Sequence, residues 1–171
     1  MADQQEQEFI RLMNENMGIA HKVASIYYPD INDREDIIQE MMYQLWKAFP
    51  GFAGLSKFST WMYRVCLNTV LSFKRKESRR IPLSFTPYQE EIALWDEPDK
   101  KEEIKLLLKS IGTLSPLNKA IILLYLEDIS YDEIAVITGL TKSNVGVRLV
   151  RIKKELEEML STNIKSVDNV T

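Results

Sequence analysis

Residues that form disulfide bonds or bind transition metals are almost absent from this chain. Its 171 residues include one cysteine, Cys66, and one histidine, His21. A disulfide within the chain needs two cysteines, and a structural zinc site is built from several Cys and His ligands. The sequence therefore excludes both ways of stabilising a fold, and we expect no metal and no other cofactor.

Glycine, proline and long apolar runs are also scarce. Six Gly, six Pro and a hydrophobic fraction of 45% favour helices with buried cores over a loop-rich chain. No apolar run approaches the roughly eighteen residues that cross a bilayer. The polar N-terminal sequence MADQQEQEF lacks the order of a secretory signal, so we expect a cytoplasmic protein without membrane insertion.

Positive charge is concentrated in two segments of an otherwise acidic chain. The net charge is −3, yet residues 57–80 carry seven basic and one acidic side chain, and residues 142–154 carry five basic and none acidic. A basic run taken alone is more often a solvated surface than a binding site. Nucleic acid, however, responds to the field within roughly 8–10 Å rather than to the total charge. Two such segments, both on predicted helices, favour DNA binding.

Apolar residues recur with helical spacing in both halves of the chain. In the first half, one apolar face runs from Phe9 to Tyr27, and a later helix starts near Ser59 or Thr60. Between them Asp33 is the predicted N-cap of another helix. The apolar residues of that middle helix are Ile38, Met41, Met42, Leu45 and Phe49.

Helix-capping residues mark the helices of the second half. The pair Ser115-Pro116 indicates a helix start, with Pro at the first helical position. Ser130 followed three residues later by Glu133 has the spacing of a capping box. Gly139 suits the left-handed position that follows a helix end.

Three prolines and a run of acids separate the two halves. Pro82, Pro87 and Pro98 lie there together with acidic residues, a composition typical of a linker. We therefore predict an all-α fold with two small helical domains. The predicted boundaries are a first domain at 1–80, a linker at 81–100, a second domain at 101–162 and a flexible tail at 163–171.

Residues 130–156 have the layout of a helix-turn-helix, in which a short capped helix and a turn with Gly139 precede a longer basic helix. The N-terminal part of that second helix, the recognition helix, enters the major groove, where Arg pairs with guanine and Asn with adenine. Two alternatives stay open, namely a helical corner that only supports a core, and a coiled-coil seam with few heptads. The predicted DNA-binding residues are Lys142, Ser143, Asn144, Arg148, Arg151 and Lys154.

Basic and aromatic side chains occur together in residues 57–80. Aromatic faces stack on unpaired bases at roughly 1–3 kcal/mol per base, while Lys and Arg hold the backbone. This combination suits single-stranded or opening DNA. Taken one at a time, Phe58 and Trp61 are slightly more typical of core residues than of base-stacking residues.

Two sets of motifs resemble the extracytoplasmic-function sigma factors of the sigma-70 family. The sequences DIIQE (36–40), LW (45–46) and KFSTWMYR (57–64), with the basic residues that follow, are similar to region 2 of that family. The sequences SP (115–116) and YDEIA (131–135), with the recognition helix, are similar to region 4. Both sets stand in the family's order, and together they cover nearly the whole chain.

The resemblance implies an alternative sigma factor, which is a non-enzymatic subunit that directs core RNA polymerase to promoters. The first domain would dock on the β′ clamp helices, melt the −10 element with the loop at 51–57 and the helix after it, and capture a flipped base. The implied polymerase contacts are Asp36, Gln39, Glu40, Leu45 and Trp46. The implied −10 contacts are Lys57, Phe58, Ser59, Thr60, Trp61, Arg64, Asn68, Lys74 and Arg75.

The resemblance implies further partners for the second domain and for the chain as a whole. The recognition helix would read the −35 element of promoter DNA, and its domain would contact the β flap of the polymerase. An anti-sigma factor would cover these surfaces, and the free protein would be a monomer.

Two other classes of function stay open from the residues alone. A helix-turn-helix regulator that binds operator DNA as a dimer would need only the second half of the chain. A helical enzyme or scaffold has less support, because the sequence has no phosphate-cradling loop, no His-based triad and no metal-ligand cluster. Binding to core polymerase distinguishes the sigma factor from the regulator.

Overall fold

The computed structural model of the protein describes residues 2–80 and 102–168, and the predicted linker at 81–100 lies outside them. Within the described ranges every regular element is a helix, which confirms the predicted all-α class. Close contacts divide the chain into two compact units, Met1–Glu90 and Glu91–Thr171.

Three long helices form the first unit. Helix α1 spans Ala2–Tyr27, α2 spans Ile31–Ala48 and continues into a 3-10 turn at Phe49–Gly51, and α3 spans Phe58–Arg80. Each helix packs against the other two, because each has an apolar face with the period of a helix. The largest fully buried side chains of this unit are Val23, Met41, Leu45, Met62, Leu67 and Val70.

Helix α2 begins earlier than the sequence predicts. Asp30, rather than Asp33, is the N-cap, and its carboxylate accepts hydrogen bonds from the N–H groups of Asn32 (2.8 Å) and Asp33 (3.3 Å). The predicted apolar stripe is wrong at its start, because Ile37 is buried whereas Ile38 is only half-buried. The buried line of the helix is Ile37, Met41, Leu45 and Phe49.

Helix α3 begins at Phe58, just before the predicted start, and buries an uncharged face. Cys66 is fully buried there, and burial raises the pKa of its thiol to about 12. The thiol is therefore protonated at neutral pH and serves as a small apolar core residue. The buried hydroxyl of Thr69 donates to the Val65 carbonyl at 2.8 Å, so this face has a satisfied polar group.

Four helices form the second unit. Helix α4 spans Glu102–Thr113, α5 spans Pro116–Leu126, α6 spans Tyr131–Thr138 and α7 spans Lys142–Asp168. Helices α4, α5 and α6 all pack against α7, so α7 supplies the central apolar face of the unit. The buried core residues include Ile111, Leu114, Ile121, Leu124, Ile134, Val145, Leu149, Ile152 and Leu156.

The helix caps predicted for the second half are confirmed. Ser115 is the N-cap of α5, where its hydroxyl accepts from the Asn118 N–H, and Pro116 occupies the first helical position. Ser130 and Glu133 form the reciprocal capping box at the start of α6. These contacts satisfy N–H groups that a helix start leaves without an intrahelical partner.

The turn between α6 and α7 depends on a glycine. Gly139 has a φ of +71°, in the left-handed region, and the Leu140 N–H closes the turn on the Ala135 carbonyl at 3.0 Å. Thr141 then caps α7, because its hydroxyl accepts from the Asn144 N–H at 3.2 Å. The start of α7 is therefore fixed relative to α6, as the predicted helix-turn-helix requires.

Helix α7 extends into the segment at 163–171 that the sequence predicts to be a flexible tail. The predicted domain boundary at 162 stays a prediction, but the helix reaches Asp168, so residues 163–168 are helical. The physical reason is that no Gly or Pro follows Gly146 in the chain, and these are the residue types that most often end a helix.

Replacing Gly139 by alanine is expected to destabilise the second unit by about 1–2 kcal/mol, the cost of a left-handed conformation for an L-residue. No atom lies within 4 Å of the new Cβ, so the cost arises from the backbone and not from a clash. In the control Gly146→Ala, inside α7, the new Cβ would lie 3.8 Å from Tyr131 Cε2, an ordinary contact. That control is expected to stabilise the protein by about 0.5–1 kcal/mol.

Urea unfolding of the two variants, followed by circular dichroism, measures both changes in the free energy of unfolding. If the Gly139→Ala protein were as stable as the wild type, the left-handed backbone conformation of this turn would cost alanine nothing, and the prediction would be wrong.

Candidate nucleic-acid interface

The first turns of α7 present polar and basic side chains to solvent. Val145, Leu149 and Ile152 are buried, and successive helical residues turn by about 100°, so the opposite face remains accessible. Five of the six predicted recognition residues are exposed: Lys142, Ser143, Asn144, Arg151 and Lys154. The structure therefore brings most of the predicted set to one surface region.

Arg148, the sixth predicted recognition residue, is held against a neighbouring helix. Its side chain is half-buried, and its Nη1 donates to Asn118 Oδ1 on α5 at 3.2 Å. No pattern in the sequence predicts this partner, because it lies thirty positions away. A guanidinium has five N–H donors, so this bond holds α7 against α5 and leaves other donors for a ligand.

Two lysines of α7 contact other groups of the protein. Lys142 Nζ lies 2.7 Å from Asp132 Oδ2, and both side chains are mostly exposed, so the pair contributes at most about 1 kcal/mol. Lys153 Nζ lies 4.0 Å from the centroid of the Tyr125 ring, and a hydrogen bond with that tyrosine raises the pKa of the lysine. Lys142 can therefore exchange its carboxylate for a phosphate, whereas Lys153 faces the tyrosine.

The exposed face of α3 collects most of the residues predicted to hold opening DNA. Arg64, Asn68 and Arg75 are separated by four and seven residues, and this spacing places them on one side of a helix. Trp61 lies one turn before Arg64 on the same side. The predicted residues that reach the surface, in whole or in part, are Lys57, Ser59, Trp61, Arg64, Asn68 and Arg75.

An aromatic cluster packs beneath the start of α3. The centroid of the Phe58 ring lies 5.3 Å from that of Trp61, 5.6 Å from Phe52 and 6.3 Å from Phe49. Phe58 and Thr60 are both buried and pack within the unit, so a direct contact of either residue with DNA stays a prediction. Trp61, at the edge of the cluster, remains half-exposed and is the aromatic face available for stacking.

Lys74 points towards α1 rather than along the exposed face of α3. Its Nζ lies 3.9 Å from the centroid of the Tyr28 ring and 3.0 Å from Glu77 Oε2. The Tyr28 hydroxyl donates to Glu77 Oε1 at 3.3 Å, and partial burial, with the nearby Glu77 charge, raises the pKa of Tyr28. A contact between Lys74 and DNA stays a prediction, and it would require this cluster to open.

The predicted polymerase-binding residues of α2 lie mainly on its outer face. Asp36 and Gln39 are exposed, and Glu40 is half-buried. The Glu40 carboxylate accepts a hydrogen bond from Gln44 Nε2 at 2.8 Å, which orients it along the helix. These side chains form a polar surface that a partner can reach.

The two residues of the LW pair at the end of α2 differ in exposure, because one lies at the surface and the other in the core. Trp46 is 49% exposed and packs its ring against Phe9 of α1, with centroids 5.1 Å apart. Leu45 is completely buried and packs in the core, so its direct contact with a partner stays a prediction. Its burial fixes the rotation of α2 and thereby keeps Trp46 at the surface.

A groove of about 390 Å³ lies between α2 and α3 and joins the two predicted surfaces of the first unit. Glu40 and Gln44 line it from α2, and Asn68 and Thr69 line it from α3. The sequence did not indicate this groove, because its walls come from helices whose relative rotation is set by the core. The groove therefore places the predicted DNA-binding face of α3 beside the predicted polymerase-binding face of α2.

Metal-binding groups and membrane-spanning helices are two further features that bear on the function. In residues 2–80 and 102–168, no group of His, Cys, Asp and Glu side chains is arranged to hold a metal ion. Across the same ranges, no helix combines the length and the apolar character needed to cross a bilayer. His21 is exposed on α1.

Family models match the two units separately. Residues 12–80 match the model described as Sigma-70 region 2, and residues 104–156 match the model described as Sigma-70, region 4. The first match covers α2, α3 and most of α1, and the second covers the helix-turn-helix and the helices before it. Both predicted regions are therefore found independently, in the predicted order.

Curated relatives align along most of the chain. The ECF RNA polymerase sigma-E factor of Escherichia coli (strain K12) is 29% identical over 160 residues, which span 85% of this chain and 84% of the relative. The protein of the same description from Haemophilus influenzae is 28% identical over 155 residues, with 82% of each chain covered.

Two solved structures share the fold. The sigma factor RpoE of Bartonella quintana, in complex with the anti-sigma factor NepR, matches with a TM-score of 0.69 at 23% identity, covering 91% of this chain and 96% of that one. CnrH, in complex with the cytosolic domain of CnrY, matches with a TM-score of 0.62 at 19% identity, covering 92% and 90%. At these identities the likeness shows the fold alone.

Alanine substitution of Arg148 and Asn118, singly and together, tests the contact that holds α7 against α5. We expect each single variant to lower the free energy of unfolding, and the double variant to lose less than the sum. The expected coupling energy is about 0.5–1.5 kcal/mol, that of a typical hydrogen bond. Strictly additive losses in urea unfolding would show that the contact does not hold the helices together.

Proposed function

Because the chain belongs to the extracytoplasmic-function (ECF) group of the sigma-70 family, we propose that it acts as an alternative sigma factor that directs core RNA polymerase to particular promoters. The observation that carries the proposal is that one chain contains a region 2 unit and a region 4 unit in the family's order. Each unit also exposes basic side chains on one helix. A regulator that only binds operator DNA has no use for the first unit.

We assign the −35 element to the recognition helix α7. Asn144 and Arg151 are exposed near its N-terminal end, and these residue types pair with adenine and guanine in the major groove. Lys142 and Lys154 suit phosphate oxygens, which position the helix without reading sequence. Arg148 would contribute a further donor while it stays bonded to Asn118.

We assign the −10 element to α3 and the loop before it. Arg64, Asn68 and Arg75 form a line that suits a strand backbone, and Lys57 stands at its beginning. Trp61 offers a partly exposed ring for an unstacked base, and such stacking at roughly 1–3 kcal/mol per base offsets part of the cost of opening the duplex. Phe58 and Thr60 support this surface from below.

We assign the binding of core polymerase to α2 of the first unit. This helix would dock on the β′ clamp helices. Asp36, Gln39, Glu40 and Trp46 are the side chains that reach the surface there, and an exposed tryptophan is a frequent centre of binding energy at protein interfaces. The second unit would contact the β flap.

The remaining partners and properties follow from the same assignment. The structural neighbour RpoE was solved with the anti-sigma factor NepR, and this supports an anti-sigma partner for the present chain. The sigma-70 family is not an enzyme family, so chemistry is left to the polymerase and the chain needs no catalytic group or cofactor. We place the protein in the cytoplasm, as a monomer when free, because core polymerase and promoter DNA are there.

Transcription from purified components tests the proposed function. Core polymerase with the chain is expected to start run-off transcripts from a subset of promoters in a genomic library, whereas core polymerase alone is not. A chain that binds core polymerase no better than an unrelated acidic protein would overturn the proposal. Binding to duplex DNA without any effect on transcription start would favour the operator-binding regulator.

Reversing one charge on α2 is expected to weaken binding to core polymerase. Asp36→Lys should raise the dissociation constant about tenfold. The new ammonium group would face either a positive charge of the polymerase or no oppositely charged group in the contact region. Glu35→Lys makes the same charge change at an exposed position about 100° around the helix and should have a much smaller effect. Titration of core polymerase with labelled protein measures both constants, and equal losses would remove Asp36 from the interface.

Removing one cation from the recognition helix is expected to weaken promoter binding by the holoenzyme. Arg151→Ala should cost about 1–3 kcal/mol if it pairs with a base, or lower the salt dependence of the affinity by about one charge if it binds a phosphate. Lys153→Ala is the matched control on the same helix, because that lysine lies over Tyr125. Filter binding over a salt series measures both variants. Identical curves for Arg151→Ala and the wild type would contradict the assignment.

A further inference from the structure

Two valines stand exposed in the surface that α7 presents to DNA. Val147 is 47% exposed and Val150 is 70% exposed, and polar or basic residues surround them on this face. Single exposed apolar residues are ordinary on protein surfaces. Here, however, two β-branched residues lie one turn apart on a helix, where valine has a lower helix propensity than most alternatives. Folding of the unit leaves about half of Val147 and most of Val150 accessible to solvent.

Helical geometry places these valines at the centre of the proposed DNA contact. With about 100° per residue, Val147 lies opposite the midpoint between the buried Val145 and Leu149. Val150 and Arg151 both lie within about 60° of Val147 around the helix axis. The two valines therefore share with Ser143 and Lys154 the face of α7 that lies opposite its buried line, and this face approaches the base edges when α7 enters the major groove.

The major groove contains one apolar group that such side chains can recognise, which is the C5-methyl group of thymine. Lys154 lies on the same side of the helix, within about 40° of both valines, and its long side chain can reach a phosphate at the edge of the groove. Three helical residues rise about 4.5 Å, close to the roughly 3.4 Å step between base pairs. Two valines at this separation can each contact a methyl group on neighbouring base pairs.

We propose that Val147 and Val150 read thymine C5-methyl groups in the −35 element, and so help to determine which promoters this chain selects. The inference rests on the proposed function, because it requires α7 to be the recognition helix. It adds a specificity determinant that neither the charge pattern nor the predicted hydrogen-bonding residues contain.

The test begins with holoenzyme, formed from core polymerase and the full chain, which selects duplexes from a pool with a randomised −35 segment. The selected sequences are expected to contain thymine at neighbouring base pairs. Replacing each such thymine by deoxyuridine removes only the methyl group and should weaken binding about fourfold, the equivalent of roughly 0.8 kcal/mol for one buried carbon group. Val147→Ala and Val150→Ala should each reduce this preference for thymine over deoxyuridine.

Val136→Ala serves as the matched control, because Val136 is an exposed valine on α6 outside this face. It should keep the full preference for thymine. A C5-methyl group also occurs on 5-methylcytosine, so a parallel arm compares thymine, cytosine and 5-methylcytosine at the same position. Stronger binding of the thymine pair identifies thymine as the base that is read, and stronger binding of 5-methylcytosine overturns that identification.

The remaining outcomes separate this inference from the proposed function. Holoenzyme that binds promoters equally well with thymine and deoxyuridine overturns the methyl readout and leaves the sigma assignment standing. Valine variants that weaken binding to core polymerase, with the thymine preference intact, show that the valines contact protein and also overturn the readout. Holoenzyme that binds no promoter DNA overturns both.

Discussion

Burial of one apolar face on each long helix is the constraint on which the surfaces of this protein depend. In α7 the buried line of Val145, Leu149 and Ile152 sets the rotation of the helix, and the opposite face is what remains for a ligand. In α2 the same constraint turns Leu45 inward and leaves Trp46 half-exposed. The predicted binding residues need no separate supporting structure. The core that stabilises each unit also determines which side chains of the helix face solvent.

This constraint divides the cations of the chain into two groups. Arg64 and Arg151 stand on exposed faces, where a phosphate or a base edge can reach them. Arg148 and Lys153 contact Asn118 and Tyr125 on a neighbouring helix, and Lys74 contacts Tyr28, which directly follows α1. Counting basic residues in the sequence treats both groups alike, although the second group also holds helices together. Basic segments therefore indicate where DNA binds more reliably than they indicate which side chains bind it.

Local signals in the sequence were sufficient for most of the fold. The capping box of Ser130 and Glu133 and the left-handed Gly139 were predictable because both depend on residues a few positions apart. Where two neighbouring residues offered the same chemistry, the sequence could not choose between them. Asp30 and Asp33 can both cap a helix, and their ranking depends on where the preceding helix ends.

The surroundings of the predicted site residues could not be inferred where the neighbouring residue is distant in the chain. Phe58 is buried because Phe49 and Phe52 pack against it, and no spacing within α3 reveals that. Arg148 bonds to Asn118 only because α5 packs against α7 near these two residues. The exposed valines of α7 differ from these cases, because a valine in a helical sequence pattern resembles a core residue and its exposure depends on how the helix packs.

The ion pair between Lys142 and Asp132 has a consequence for the thermodynamics of promoter binding. When Lys142 transfers to a DNA phosphate, a sodium or potassium ion leaves the duplex, and this release drives much of the association of proteins with DNA. Asp132 then loses its ion-pair partner, and the loss of this exposed pair, at most about 1 kcal/mol, offsets part of that gain. The net free energy from this contact should therefore be smaller than for a lysine without a carboxylate partner.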